Sequence, residues 1–564
     1  MTRYMNYDEE NEYFRHLIET VSSDDEAISD ESVASEDDEY CSNHDSSSEI
    51  ETETEDESSL SATDFYIGKD KVTKWLKKKY SQSVRKPARN IISKLPGNTA
   101  YSKHVASPVD AWNVLFDSKM LNMMVENTNI YIESIQERFT RERDARKTDE
   151  TEIKAFIGLL YLCGTHKSSH TNLKDLYATD GTGIDIFPKT MSRTRFLFLM
   201  RCLRFDNIND RQSRREIDKL APIRDFFETF VTNCKNAYTL GEFVTIDEKL
   251  EPFRGRCGFR QYMPKKPAKY GIKIFALVDS RVFYTWNMEI YAGQQPDGPF
   301  KIDCSSKSIV MRLMTPLFNS GRNLTTDNWY TGYELAQELL KKKITIVGTL
   351  RQNKREIPPQ FLVKKELYSS IFGFQKETTM VSYSAKKNKN VVMLSTMHTD
   401  DKIDETTMEL KKPDIITFYN LTKGAVDVVD EMAAAYTTAR ISNRWPMVIL
   451  FSMLNVAAIN ARVLLMSTKN PPTQFRNRRF FLKTLGLVLS EQHRKRKPLR
   501  KTTKPSTEEL EITNSEPPAK KIKETYKRCA FCPCNKDRKS RFICQKCEKS
   551  LCVEHQYVIC QNCL

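Results

Sequence analysis

The last 36 residues hold eight cysteines and one histidine, and no other stretch restricts the fold of this chain so tightly. Apart from Cys534 they fall into four pairs, Cys529/Cys532, Cys544/Cys547, Cys552/His555 and Cys560/Cys563, each with two intervening residues. That spacing lets one turn aim both side chains at a single ion, and thiolate and imidazole ligands suit tetrahedral Zn²⁺. Eight ligands make two closed, structural sites with no position left for water. The tail lacks the apolar content to fold alone, so metal binding drives its folding. A disulfide knot would need an oxidising compartment. The six other cysteines are scattered singly, which suits a reducing one. Spacing leaves open whether the pairs interleave around the two zincs or sit in series. Cys534 is either free or a substitute ligand.

A zinc module this small grips nucleic acid or protein, so the chemistry lies upstream. Charge points to the partner. Residues 1–64 contain 22 Asp/Glu and 2 Lys/Arg, and the chain as a whole is +14, which leaves +34 on the rest. A strongly basic body behind an acidic tail fits a polyanion, most often DNA. No secretory signal is expected from MTRYMNYDEENEYF, and no membrane span from Pro446–Ala461, which is short and interrupted by Asn455 and Asn460. Two basic runs, HRKRKPLRKTTK (493–504) and PAKKIK (518–523), read as signals for a nuclear import receptor. Ser22, Ser23 and Ser35 precede acidic runs, as sites of acid-directed kinases do.

The pattern divides the chain. Residues 1–97 read as a disordered acidic region, too poor in apolar residues to offset chain entropy. Residues 98–242 read as helical. Within them RTRFLFLMRCLRF (193–205) combines an aromatic face with Arg193, Arg195, Arg201 and Arg204, a face suited to a DNA backbone. Strands follow at 243–250, 271–280 and 282–291, all antiparallel neighbours, then a short strand in NLTTDNWY, a helix at 332–342 and a strand at 344–350. Residues 355–414 read as an inserted subdomain. DIITFYN (414–420) reads as a strand, GAVDVVDEMAAAY as a helix, and Trp445 to about Met466 as a long buried helix. A basic linker, 491–526, leads to the zinc module, 527–564.

Three strands, a strand–helix–strand unit and a final helix are the skeleton of an α+β, RNase H-like core. Such a core holds two divalent metals on acidic side chains. The matching positions are Asp247 in VTIDEKL, Asp327 in LTTDNWY and Asp427 in GAVDVVDEM, with Asp430 on the same helical side as Asp427. Carboxylates amid apolar strand residues need a cation or hydrogen-bond donors, and two Mg²⁺ (or Mn²⁺) ions would serve.

At these residues the chain resembles the piggyBac family of DNA transposases. The similar stretches are TIDEKLEPFRGRCGFRQYMPKKPAKYGIKIFALVDS, TTDNWYTGYELA, TIVGTLRQNKREIP, YNLTKGAVDVVDEM and NRWPMVILFSMLNVAAINA, in the same order. The resemblance implies that Asp247, Asp327 and Asp427 are the catalytic triad and Asp430 a further acid at the site. It implies excision through hairpinned ends and integration at TTAA. The core would comprise 243–354 and 415–436, and the segments 98–242 and 437–490 would form a domain for homodimerisation and DNA binding. The tail would be a cross-brace, with Cys529, Cys532, Cys552 and His555 on one zinc and Cys544, Cys547, Cys560 and Cys563 on the other, recognising the transposon's terminal repeats. Arg351, Asn353 and Lys354 look like target-DNA contacts. Arg440, Arg444 and Trp445 would lie near the hairpin end.

Overall fold

The computed structural model describes residues 64–80, 91–92, 94–264, 266–387, 389–496 and a few positions between 527 and 540. The chain forms two compact units, Met1–Pro498 and Leu499–Leu564. In the second, Lys527–Arg528 pairs antiparallel with Lys539–Ser540. Of the expected zinc ligands only Cys532 is among the described residues; the acidic tail before residue 64 also lies outside them.

In chain order the first unit opens with β1 (Phe65–Ile67), β2 (Lys74–Leu76) and β3 (Gly97–Asn98). Five longer helices follow: α1 (Pro108–Leu115), α2 (Ser118–Ile135), α3 (Glu150–Thr165), α4 (Arg193–Cys202) and α5 (Arg224–Ala237). Then come β4 (Tyr238–Thr239), β5 (Phe243–Pro252), β6 (Gln261–Tyr262), β7 (Tyr270–Asp279) and β8 (Thr285–Ile290). The remainder alternates: α6 (Ser306–Met314), β9 (Asn323–Thr326), α7 (Tyr333–Lys341), β10 (Thr345–Thr349), β11 (Ser370–Gln375), β12 (Thr378–Lys386) and β13 (Lys389–Ser395). Four helices close the unit: α8 (Asp414–Thr422), α9 (Ala425–Ala435), α10 (Trp445–Met466) and α11 (Arg478–Lys495).

At the centre of one large sheet the order is β8-β7-β5-β9-β10. The contiguous segments at 243–252, 270–279 and 285–290 form the antiparallel part, Asp247 standing opposite Ala276. The next two strands run parallel to β5. A parallel neighbour needs a crossover, and α6 and α7 supply it. Ile309, Val310, Leu313 and Met314 bury one face of α6; Leu335, Ala336, Leu339 and Leu340 bury one face of α7.

The sheet does not stop at β10. Beyond it β13, β12 and β11 add an antiparallel meander, and β2 and β1 add the edge. Two expectations change. The segment 355–414 does not stand apart: its three strands continue the central sheet. Nor is the whole of 1–97 without structure. The average composition of that region hides FYIGKDKVTKWL, whose Trp75 is fully buried, donates from Nε1 to the Glu356 carbonyl (3.0 Å) and meets the Tyr333 ring edge-on at 5.9 Å. Trp75→Ala is expected to destabilise the first unit by about 3 kcal/mol, the low end for a buried tryptophan because a sheet edge can collapse into the gap; urea unfolding would read it.

DIITFYN is helical, not a strand. Its β-branched run favours a strand locally, but Pro413 precedes a helical start, Asp414 sits in the first turn, and α8 docks on the sheet instead of joining it. Phe418 meets Phe243 edge-on at 5.0 Å, and the Thr422 hydroxyl lies 2.8 Å from that of Thr325. Packing on β5 and β9 outweighs the propensity.

Among the described residues α10 is the one helix long and apolar enough to cross a membrane, and it is almost wholly buried within the protein. Its two asparagines are satisfied there: Asn460 bonds both backbone groups of Thr285, and Asn455 accepts from the Thr438 N–H. Helices α3 and α11 cross so closely that a side chain on Gly158 would lie 2.6 Å from the Gly486 carbonyl.

Candidate catalytic site

Parallel pairing of β5 with β9 matches Ile246 to Thr326. One step further along each strand stand Asp247 and Asp327, so the register alone makes them neighbours. Asp327 also closes the turn into α7, accepting from the N–H of Trp329 (2.8 Å) and Tyr330 (3.4 Å). Asp427 lies in the first turn of α9, which packs against β5 and β7. These three carboxylates line one cavity of about 240 Å³ with Thr245, Thr326, Tyr419, Lys423 and Gly424.

The cavity is electrostatically unbalanced. Burial, then the nearby Glu248 and Asp427, push the Asp247 carboxyl up to about 8. Burial raises Asp327 too, against the two backbone N–H donors it holds. Cations converge from elements that sequence reasoning passed over. Lys266 extends its ammonium to within 3.1 Å of Asp427. Burial opposes that charge, yet the attraction of Asp427 prevails and the lysine is raised. Lys273 stands over the rings of Phe275 and Trp329 at 4.9 and 4.7 Å. The signal was present: residues 252–278 contain no Asp or Glu and seven Lys or Arg. Such a run beside an acidic strand was readable as a charge match.

Asp430, expected as a further acid at the site, does not line this cavity. Its carboxylate pairs with Lys249 at 3.3 Å. The i, i+3 spacing puts both acids on one side of α9, but one turn separates them and a different cation takes the second.

The expected DNA contacts divide. Arg351 and Asn353 are exposed and line an open hollow of about 660 Å³ with Asn328, next to Asp327; Lys354 is half-buried behind them. Arg440 and Arg444 are not free for phosphates. Arg440 donates to the carbonyls of Ser168 (2.6 Å) and Thr171 (2.8 Å). Arg444 donates to those of Arg201 (2.9 Å) and Leu203 (2.5 Å), and burial, then Arg204 and Arg211, hold it down to about 9. Both tie the entry of α10 to the helical layer. Trp445 is half-buried, edge-on to Phe259 at 5.1 Å, and lines a hollow of about 260 Å³ with Arg204, Arg211 and Arg215. The expected basic face of α4 is likewise partly internal. Arg195 is clamped by both oxygens of the buried Glu152 (2.9 and 2.6 Å), and Arg204 covers the Tyr131 ring at 3.5 Å.

Among the described residues no three His, Cys, Asp or Glu side chains are already drawn around a common ion position. The donor set is nonetheless all carboxylate oxygen. Mg²⁺ is bound through one or two such carboxylates together with water and substrate phosphates, not in an all-protein cage.

Comparison with known proteins agrees with this layout. A family model described as Transposase IS4 matches residues 107–462, a segment containing all three cavity carboxylates. Human "PiggyBac transposable element-derived protein 3" is 22% identical over 371 residues, covering 62% of this chain and 60% of that protein. Human "PiggyBac transposable element-derived protein 2" is 22% identical over 374 residues, covering 63% of this chain and 61% of that protein. The chain thus spans about three fifths of the length of these relatives. A solved structure, the cryo-EM piggyBac transposase synaptic complex with hairpin DNA, superposes with a TM-score of 0.68 at 35% identity, covering 84% of this chain and 100% of that one. By the matched segment, the shared sheet and the relatives together, this chain belongs to the Transposase IS4 family and to the piggyBac group of DNA transposases.

Proposed function

We propose that this protein is a cut-and-paste DNA transposase with an RNase H-like core, in which Asp247, Asp327 and Asp427 are the catalytic carboxylates. One observation carries the reading: acids from the first core strand, the end of the fourth and the later helix α9 meet in one cavity. The raised Asp247 and Asp327 carboxyls mark negative charge that the protein alone does not neutralise. Two Mg²⁺ or Mn²⁺ ions held there would activate the attacking oxygen and stabilise the leaving oxygen of a phosphodiester. The chain's own part is to aim the three carboxylates, and to set Arg351 and Asn353 beside them where DNA phosphates can be held. Excision through hairpinned ends, insertion at TTAA and action as a homodimer on two ends belong to the same proposal. So do import into the nucleus and recognition of terminal repeats by the two-zinc tail.

The test is incubation of the purified full-length chain with Mg²⁺ and a labelled, TTAA-flanked transposon end taken from the DNA beside the gene. Nicking followed by hairpin formation supports the reading. Tight binding with no cleavage would instead favour a DNA-binding derivative, a reading to which the "transposable element-derived" human relatives lend weight. Lys266 offers a second check. Lys266→Gln removes a cation that competes for Asp427, so Mn²⁺ should bind roughly fivefold more tightly by calorimetry.

A further inference from the structure

Lys249 lies two residues after Asp247 on β5, with its side chain only 1% exposed. Its ammonium sits 2.9 Å from Glu251 and 3.3 Å from Asp430. These contacts are ion pairs, not well-aligned hydrogen bonds. Glu251 in turn accepts from the Ser452 hydroxyl of α10 at 2.6 Å. One buried cation therefore ties together β5, α9 and α10.

Alternation places Asp247, Lys249 and Glu251 on the same side of β5. Two residues of strand advance about 6.6 Å and three residues of helix about 4.5 Å. With Lys249 held on Asp430, the residue one turn earlier on α9, Asp427, comes beside Asp247. Other polar anchors act near its ends: Lys266 on Asp427 (3.1 Å), Arg478 donating to the Met432 carbonyl (2.6 Å) and, just before the helix, Thr245 donating to the Thr422 carbonyl (2.7 Å). Against the middle of β5 the apolar face itself adds little register. Its buried side chains are Ala425, Val426, Val429 and Ala433, small and nearly smooth. Such a face gives adhesion without register, and a buried ion pair supplies register where apolar contact does not.

We propose that Lys249 is a positioning residue, and that the Lys249–Asp430 pair, braced by Glu251 and Ser452, locks α9 in the register that brings Asp427 to Asp247. Asp430 is then the acceptor of this strut and not a metal ligand. The proposal rests on the reading of Asp247, Asp327 and Asp427 as the cation site.

The decisive pair of variants is Lys249→Met and Asp430→Asn in the full chain. Methionine keeps most of the length and loses the charge. It should weaken Mn²⁺ binding to the DNA-free protein by at least about tenfold and lower the cleavage rate by a similar factor, about 1.4 kcal/mol each, with binding of the DNA end unchanged. Asp430 acts only through Lys249 in this reading, and asparagine still offers that lysine an oxygen. Asp430→Asn should therefore weaken Mn²⁺ binding no more than Lys249→Met does, within the roughly 10- to 100-fold range of groups that act through ligands. If Lys249→Met does not fold, Ser452→Ala loosens the same brace more gently and should weaken Mn²⁺ binding about threefold. Unchanged Mn²⁺ affinity in Lys249→Met with only a lower melting temperature would overturn the strut. So would a loss of affinity in Asp430→Asn well beyond that in Lys249→Met, since a residue acting only through Lys249 cannot matter more than Lys249. Should the wild-type protein fail to cleave while the affinities behave as described, the strut stands and the transposase reading falls.

Discussion

Asp327→Asn is expected to slow the proposed Mg²⁺-dependent cleavage of the transposon end by at least roughly a thousandfold, while the protein stays folded. The magnitude follows from the work assigned to the site: stabilising both oxygens of an in-line displacement contributes several kcal/mol, and about 4 kcal/mol corresponds to roughly three powers of ten. Asparagine is the informative choice. Asp327 has two tasks, one as an anionic donor to the cavity and one as acceptor for the N–H groups of Trp329 and Tyr330. The amide oxygen keeps the second and loses the first. Urea unfolding should therefore move by no more than about 1 kcal/mol, the worth of the weakened turn bonds. A labelled end resolved on a denaturing gel reads the rate. Cleavage at the wild-type rate in this variant would remove Asp327, and with it the proposed triad, from the chemistry.

Without divalent cations, the stability of the first unit relative to that of its Asp247→Asn variant should fall as pH rises from about 4 to about 8, by several kcal/mol at the upper end. The sign is set by the raised carboxyl. Between its ordinary range and about 8, folded Asp247 keeps a proton that the unfolded chain has released. The native state then binds more protons, so stability falls with pH, and the loss is complete above about 8. The cause is burial first, then Glu248 and Asp427 close by. Mg²⁺ should reverse the loss in wild type by binding the charged cluster, more at pH 8 than at pH 5, and should leave Asp247→Asn nearly unmoved. Chemical denaturation across pH, with and without Mg²⁺, checks both halves. A difference between wild type and Asp247→Asn that stays flat from about pH 4 to 8 would show that the cluster is not charge-starved, the comparison cancelling the opposite slope of the buried His398.

Much of the core was legible because its signals are local. VTIDEKL and GIKIFALVDS alternate as strands and pair as strands. GYELAQELLKK repeats at helical spacing and forms α7. Trp445–Met466 begins and ends where its apolar run does. Asp247, Asp327 and Asp427 stood out because a carboxylate in or beside an apolar element carries a cost that needs an explanation. DIITFYN failed for the complementary reason. Its β-branched residues state a local preference, and contacts of Phe418 and Thr422 with residues more than ninety positions away overrule it. The pair β1–β2 was lost in the acidic average around it, since Trp75 is buried only by elements that lie at 333–361 and beyond.

The charged residues mark the boundary most clearly. Residue type and order placed three carboxylates on the right elements, and identified a basic body that suits a polyanion. They did not say which cation each acid would meet, or which arginines would face inward. Arg195 read as part of a DNA-backbone face and Arg440 and Arg444 as DNA contacts near the hairpin end, yet they hold Glu152 and backbone carbonyls of Ser168 and Arg201 more than two hundred residues away. Asp430 read as a fourth site acid, yet Lys249 holds it. Periodicity and local propensity act over a few residues, so the chain by itself determined its strands, its helices and the acids they carry. A charge takes its partner from whatever packing brings within about 4 Å across hundreds of residues, so only the tertiary structure decided which of those charges face the cavity and which brace it.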